Sequence, residues 1–189
     1  MRTMRIIAGS ARGRTFDAPP GMDTRPTLDR VRENVFNILQ MKVRGAQVLD
    51  LFSGSGAMAF EAVSRGAEHA VLVDCAKSAH AVEQRNAEKL RMAAQTTLLH
   101  CDWQLAVKQL ASQQRSFNLV FLDPPYAMHD MVPVLDAIRP LLAPGAVILL
   151  EHEAKTFPAT PDGYALYDSR KYGVAGVSFF RLRDTGEVE

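Results

Sequence analysis

The sequence predicts an α/β protein whose mostly parallel sheet ends in an antiparallel hairpin. From about residue 46, short apolar, β-branched runs alternate with stretches of helical periodicity. This alternation is typical of βαβ units, whose helices cover both faces of a parallel sheet. The last segment breaks the alternation, because the runs YALYDSRKYG and VSFFRLR are joined by too few residues for a crossover helix. Two such neighbouring strands form an antiparallel hairpin.

The central elements follow in order from this pattern. The predicted strands are 47–52, 70–74, 96–100, 118–123 and 146–151, followed by the two hairpin strands. The predicted helices are 57–67, 76–92, 103–113 and 130–142. A further helix precedes the sheet within RPTLDRVRENVFNILQMK, where apolar residues recur at helical spacing at Leu28, Val31, Val35, Ile38 and Leu39. This stripe is expected to pack on the body, with Arg30 and Arg32 directed elsewhere.

Length and composition indicate a soluble protein with one main domain. The 189 residues are 47% hydrophobic and 23% charged, as in ordinary globular proteins. No apolar run approaches the ~20 residues that span a bilayer, and the N-terminus lacks the apolar core of a signal peptide. We therefore expect a cytoplasmic protein without a membrane partner. The histidines and cysteines show no metal-ligand spacing, and no metal site is predicted.

The net charge of +1 conceals an uneven distribution. Residues 1–44 hold nine Arg and Lys against four Asp and Glu, a net charge of +5, which leaves −4 for the remainder. A basic segment of this kind either contacts nucleic-acid phosphates or forms a solvated surface, and charge alone leaves both open. We expect residues 1–24 to form a basic arm or hairpin and residues 25–189 to form the main domain.

A glycine turn follows the first central strand. In VLDLFSGSGAMA, Gly54, Gly56 and Ala59 have the G-x-G-x-x-[G/A] spacing that lets a ligand approach the backbone at a helix N-terminus. Asp74 ends the next strand, 20 residues after Gly54, where a carboxylate can accept hydrogen bonds from ribose hydroxyls. Both NAD enzymes and S-adenosylmethionine (SAM) methyltransferases share these features.

The stretch FNLVFLDPPYAMHD separates these two classes. Its apolar strand ends at Asp123, and two prolines that cannot donate to the ladder follow. Asp123 and the carbonyl of Pro124 can each accept one N–H of a planar exocyclic amine, while Tyr126 stacks on the base. This grip turns the nitrogen lone pair toward a methyl donor and favours in-line displacement by orientation. A dehydrogenase instead needs an acid/base group beside the path of the hydride.

Five sequence blocks resemble the RsmD family, the bacterial 16S rRNA guanine-N2 methyltransferases. They are MRIIAGSARGR, RPTLDRVRENVFN, DLFSGSGAMAFEAVSRGA, FLDPPY and RKYG. The resemblance implies a Rossmann-like class I fold with a seven-stranded sheet and SAM as the methyl donor. It also implies methylation of the N2 amine of one guanine in 16S rRNA, within the small ribosomal subunit or its precursor.

The resemblance also assigns site residues. Those expected to surround the methionine part of SAM are Asp50, Gly54, Ser55 and Gly56. Asp74 is expected at the ribose, Asp102 at the adenine amine, and Trp103 beside the adenine. The guanine would lie against Asp123, Pro124 and Tyr126. The expected RNA contacts are Arg12, Arg14, Arg25, Thr27, Arg30, Arg32 and Lys171. The chain departs from the family pattern at Ala59, where glycine is usual, and at Asp74, where glutamate is more common.

The same residues also fit other functions. The same grip suits the N6 amine of adenine in DNA. Protein glutamine methylation is a weaker fit, because such enzymes present asparagine at the position of Asp123. An alternative outside the enzymes is an RNA-binding assembly factor that keeps the fold but does not transfer methyl groups. Asp102 can equally be a helix N-cap, and single arginines can be solvated surface residues.

Overall fold

The computed structural model describes residues 3–18, 26–125 and 127–183, with backbone only for residues 26–28. Arg25, Tyr126 and the predicted domain boundary between residues 24 and 25 lie outside these ranges, as do the side chains of Thr27 and Leu28. No helix in the described ranges is both long enough and apolar enough to pass through a bilayer.

Nine strands and five α-helices make up the described chain. The strands are β1 (Thr3–Arg5), β2 (Thr15–Asp17), β3 (Gln47–Asp50), β4 (His69–Asp74), β5 (Thr96–His100), β6 (Phe117–Leu122), β7 (Leu142–Glu153), β8 (Tyr164–Tyr172) and β9 (Ala175–Leu182). The helices are α1 (Pro26–Val43), α2 (Ala57–Ser64), α3 (Lys77–Leu90), α4 (Trp103–Ser112) and α5 (Val132–Ile138).

Seven strands form one sheet in the order β5-β4-β3-β6-β7-β9-β8. The first five are parallel, and β9 pairs antiparallel with both β7 and β8. The structure thus confirms the predicted α/β class, the seven-stranded sheet and the C-terminal antiparallel hairpin. The strand order reverses between β3 and β6, so the chain leaves an open crevice at their carboxyl ends.

Each face of the sheet has its own apolar core. Val48 and Leu119 point to the face covered by α1, α2 and α3, whereas Leu49 and Val120 point to the face covered by α4 and α5. Successive strand residues alternate between faces, so a strand covered on both sides reads as a continuous apolar run. This is why the central strands were recognisable from sequence.

The segment before β7 differs from the prediction. The expected helix over 130–142 is shortened to α5 and a 3-10 turn at Arg139–Leu141, because Pro140 lacks a backbone N–H and clashes with the preceding turn. The strand starts at Leu142, four residues earlier than expected, with a register irregularity against β6 between Phe117 and Leu119.

Helix α1 packs largely as predicted but with two corrections. Val31, Val35 and Leu39 are buried, whereas Ile38 is 38% exposed. Arg32, which was expected to face RNA, is only 4% exposed. Its guanidinium donates to the carbonyl of Arg5 at 2.6 Å and to Asp29 at 3.1 Å, so it ties the N-terminal strand to α1.

Residues 3–17 form a two-stranded antiparallel hairpin whose apolar side chains enter the core. Met4 pairs with Phe16, and both are buried. The connecting segment lies against α2, where Glu61 accepts the backbone N–H groups of Ile7 and Ala8 at 2.8 and 3.0 Å. Gly9 approaches so closely that a Cβ there would overlap the backbone carbonyl of Ser64. The hairpin is therefore held against the helix that follows the glycine turn.

Candidate active site

Three acidic residues meet at the carboxyl edge of the sheet. Asp50 ends β3, Asp74 ends β4, and Asp123 directly follows β6. Because β3 lies between β4 and β6, the three backbone positions are neighbours at the crevice. The backbone N–H of Leu51 continues the pairing beyond β3 by donating to the carbonyl of Phe121 at 3.1 Å.

The glycine turn needs both of its glycines. Gly54 and Gly56 have φ values of +56° and +77°, in the left-handed region that side chains disfavour. A Cβ on Gly56 would also overlap the ring of Phe60. At Gly54, by contrast, no described atom lies within 4 Å of where a Cβ would stand. This peptide borders open space that a ligand can enter.

Buried polar residues of α3 support the turn from below. Glu83, fully buried, accepts the hydroxyl of Ser53 at 2.5 Å, while the backbone N–H of Ser53 donates to the carbonyl of Val73 at 3.0 Å. Asn86 donates to the carbonyl of Ser55 at 3.0 Å and exchanges hydrogen bonds with the backbone of Asp17. The sequence analysis missed these two supports, since only their periodic place on a helix was visible.

Asp74 fixes the edge of the same turn. One carboxylate oxygen accepts the N–H of Gly54 at 2.9 Å and the other accepts the N–H of Ala76 at 2.8 Å. The side chain is partly exposed. A carboxylate has about four lone-pair sites, so each oxygen can accept a further hydrogen bond, as the predicted ribose contact requires.

A cleft opens above the turn. We call it the central cleft, and its polar lining comprises Arg32, Asp50, Ser53, Gly54, Ser55, Asp123 and Glu151. Met4 of the hairpin and Val31 and Val35 of α1 form an apolar wall. The structure thus brings together four predicted residues, Asp50, Gly54, Ser55 and Asp123, and adds Glu151, which the sequence analysis did not select.

Asp50 is suited to bind a cation in this cleft. Its side chain is 2% exposed, and one carboxylate oxygen finds no hydrogen-bond partner among the described residues. Burial, together with the nearby carboxylates of Glu83 and Asp123, raises the pKa of Asp50 well above its usual range. A ligand ammonium group would satisfy this oxygen and stabilise its charged form, which fits the amino end of the methionine part of SAM.

A second, smaller cleft shares one wall with the first. The residues that line this side cleft include Asp123, Pro124, Pro125, His129, Glu151, Thr156 and Pro158. The carbonyl of Pro125 accepts the N–H of Met128 at 2.8 Å, which closes a turn after the two prolines. Asp123 and Glu151 line both clefts, so they stand at the passage between them.

The two acids at this passage have raised pKa values. Asp123 lies at the rim with part of its side chain exposed, and the protein packed around its carboxyl raises its pKa to about 6. Burial, with a contribution from the charge of Asp123, raises the pKa of Glu151 to about 8. Two neighbouring carboxylates resist being ionised together, because their like charges repel.

Two other predicted cofactor residues lie at the end of β5. Asp102 is the N-cap of α4 and accepts the N–H of Leu105 at 2.8 Å. Trp103 is partly buried and packs against the core below α4. Asp102 is exposed and keeps free acceptor capacity. Contact of these residues with adenine stays a prediction.

The predicted RNA contacts separate into two groups. Arg12, Arg14, Arg30 and Lys171 are exposed, and Arg14 also donates to the carbonyl of Leu90 at 3.2 Å. Arg32 is excluded from a surface role, because its guanidinium is buried among Asp29, Glu61 and the carbonyl of Arg5. Lys171 lies on β8, in the C-terminal hairpin.

The crevice, the glycine turn and the aspartate at the end of β6 define a Rossmann-like methyltransferase. A model of the family described as conserved hypothetical protein 95 matches residues 4–181. The Escherichia coli ribosomal RNA small subunit methyltransferase D is 32% identical over 189 residues, covering 98% of this chain and 93% of that protein. YlbH of Bacillus subtilis is 33% identical over 183 residues, covering 95% and 100%.

A solved structure is also similar over almost the whole chain. The Escherichia coli protein yhhF superimposes with a TM-score of 0.83 at 28% identity, covering 97% of this chain and 100% of that one. The chain belongs to the RsmD family of SAM-dependent methyltransferases. Membership confirms the family, the class of enzyme and the methyl donor predicted from the sequence.

Proposed function

We propose that this protein transfers a methyl group from SAM to the exocyclic N2 amine of one guanine in 16S rRNA of the small ribosomal subunit or its precursor. The observation that carries the proposal is the position of Asp123 and Pro124. They follow a central strand at the point where the central cleft, which holds the glycine turn, meets the side cleft. The name of the Escherichia coli relative, a small subunit rRNA methyltransferase, supports the choice of polymer.

The residues of the central cleft divide the work of holding the donor. Asp50 binds the ammonium group, the peptide at Gly54 faces the methionine part, and Asp74 accepts hydrogen bonds from the ribose. When bound, SAM supplies an electrophilic methyl group on a positively charged sulfur. The surrounding carboxylates complement that positive charge, and the apolar wall of Met4, Val31 and Val35 excludes water.

The passage between the clefts holds the acceptor. Asp123 and the carbonyl of Pro124 each accept one N–H of the guanine N2 amine, which fixes the plane of the base and the direction of the nitrogen lone pair. Orientation of this kind is a large source of rate enhancement, because it replaces a bimolecular encounter by a fixed geometry. Stacking of Tyr126 on the base completes the proposed site.

The choice of polymer is tested by transfer of labelled methyl from SAM to purified small subunits, naked 16S rRNA and duplex DNA. We expect labelling of the subunits or their precursors above that of naked rRNA, and none of DNA. Labelling confined to DNA would contradict the proposed substrate. Binding of subunits without transfer to any polymer would favour an assembly factor that has lost the activity.

Asp74→Ala is expected to weaken SAM binding by about 1.5–3 kcal/mol, the range for losing hydrogen bonds to a charged group. The variant loses the ribose acceptor and also frees the N–H of Gly54. Isothermal titration calorimetry measures the effect directly. Asp136→Ala, an exposed aspartate on α5, is the matched control. Equal SAM affinity in the Asp74 variant and the wild type would remove Asp74 from the site.

Arg12→Ala combined with Arg30→Ala is expected to weaken binding to small subunits and to reduce its salt dependence. Each lost phosphate contact lowers the slope of log K against log salt by about 0.7–0.9. Both side chains are exposed, so the fold should be retained. Lys77→Ala with Lys108→Ala, an exposed pair outside the proposed surface, serves as control. An unchanged salt slope would argue against this surface.

A further inference from the structure

Glu151 lies beside Asp123 on the adjacent strand β7, two residues before that strand ends. In the parallel pairing of β6 with β7, Leu122 is the register partner of Leu150. Asp123 and Glu151 are therefore the next residues along two strands that lie about 4.8 Å apart. Both line the central cleft and the side cleft.

The surroundings of Glu151 contain few groups that could neutralise it. The charged or titratable residues that share its clefts are Asp50 from β3, Asp123 after β6, Arg32 from α1, His129 before α5, and His152 and Glu153 on β7 itself. Arg32 is already engaged with Asp29 and Glu61. His152 contacts the hydroxyl of Ser178 and the carbonyl of Glu153. The immediate partner of Glu151 is therefore another acid, Asp123.

We propose that the Asp123–Glu151 pair accepts the proton that leaves the target nitrogen, and that Glu151 holds it. This inference rests on the proposed function, since it concerns the same amine. Asp123 has two tasks in this scheme, orienting the amine and passing on its proton, whereas Glu151 has only the second. The two tasks can therefore be separated by changing Glu151.

The step balances in atoms and charge. The nitrogen lone pair forms the new N–C bond while the C–S bond of the donor breaks, and its electron pair stays on sulfur, which loses its positive charge. The positively charged nitrogen then gives one proton to a carboxylate oxygen of the pair. The electrons of that N–H bond return to nitrogen, and the protonated carboxyl later releases the proton to water.

The acidities of the pair suit this role. With pKa values of about 6 for Asp123 and about 8 for Glu151, the pair retains one proton near pH 7. A cation in the central cleft favours the ionised form of a neighbouring carboxylate and lowers its pKa. Binding of SAM should therefore release protons from the pair and leave it ready to accept one. A general base is most effective when its pKa lies near the working pH.

The test is the single-turnover rate of methyl transfer to small subunits between pH 6 and 9.5, for the wild type, Glu151→Gln and Glu151→Asp. The wild-type rate should rise with pH as Glu151 ionises and then level off. Glu151→Gln should lower the rate about 100-fold or more, the scale of general base catalysis, and should remove the rise. Glu151→Asp should restore part of the rate together with the rise. Glu88→Gln, exposed on α3, is the control.

A second readout does not depend on transfer. Calorimetric titration of SAM in buffers of different ionisation enthalpy counts the protons released on binding. Near pH 7.5 the wild type should release more protons than Glu151→Gln, while SAM affinity stays within about threefold, a difference under about 0.7 kcal/mol. Equal proton release by the two proteins would contradict the inference.

Other results of these two experiments would overturn the role proposed for Glu151. If the Glu151→Gln protein transfers methyl at the wild-type rate, Glu151 is not the proton acceptor. If the variant is slower but keeps the pH profile of the wild type, the role of Glu151 is structural and the proton-acceptor role is again overturned. If the wild-type protein itself makes no N2-methylguanosine, the proposed function fails and this inference fails with it. If only the variant comparison fails, the proposed function stands.

Discussion

Asp123→Ala is expected to lower methyl transfer by about 10³-fold or more while SAM binding and subunit binding stay close to wild type. The carboxylate at the end of β6 orients the target amine and receives its proton, and both contributions are lost together. Each matters mainly as the reaction proceeds, so the loss should appear in the single-turnover rate rather than in either binding constant.

The exposed residue Asp162 provides the matched control, because Asp162→Ala removes a carboxylate that lines neither cleft. We expect its transfer rate to equal that of the wild type. Asp123→Asn is a useful companion, since its amide oxygen can still accept an N–H of the target amine, whereas the side chain can no longer take up the proton. Transfer within tenfold of the wild type in both Asp123 variants would show that this carboxylate is not part of the reaction.

Glu61→Ala is expected to lower the free energy of unfolding by about 3–5 kcal/mol, the range for removing one partner of a buried ion pair. Glu61 is fully buried, accepts the N–H groups of Ile7 and Ala8, and pairs with Arg65 at 2.7 Å. Its other oxygen lies 3.8 Å from the guanidinium of Arg32. Removal would leave two partly buried N–H groups without their acceptor and would leave Asp29 as the only carboxylate that pairs with Arg32 among the described residues.

Chemical denaturation measures this loss, with Glu68→Ala as the control. Glu68 is exposed, and surface changes of this kind usually stay within about 0.5 kcal/mol. The Glu61 change should also weaken SAM binding, because Met4 of the hairpin lines the central cleft. A loss below about 1 kcal/mol would show that the hairpin is held by its apolar contacts rather than by Glu61.

The central strands were predictable because both of their faces are buried. Their continuous apolar runs mark them in the sequence, and the acids that end them are visible as interruptions at Asp50, Asp74 and Asp123. Glu151 ends its own apolar run in the same way, so this signal could have identified it. It was missed because no familiar motif surrounds it.

Side-chain direction on α1 was harder to predict. Arg32 lies on α1 between the buried residues Val31 and Val35. The sequence does not show that Glu61, 29 residues later in the chain, lies opposite it. Burial of a charged residue depends on a partner from a distant element. Glu83 and Asn86 posed the same difficulty, since their roles under the glycine turn arise only when α3 packs against it.

Nucleoside analysis of small-subunit RNA after methylation by the wild-type protein identifies the modified atom directly. We predict N2-methylguanosine, because the carboxylate of Asp123 and the carbonyl of Pro124 require an acceptor that donates two N–H bonds. Methylation at a ring atom, such as N7 of guanine or C5 of cytosine, would contradict the account, since neither atom carries an exocyclic amine for these groups to hold.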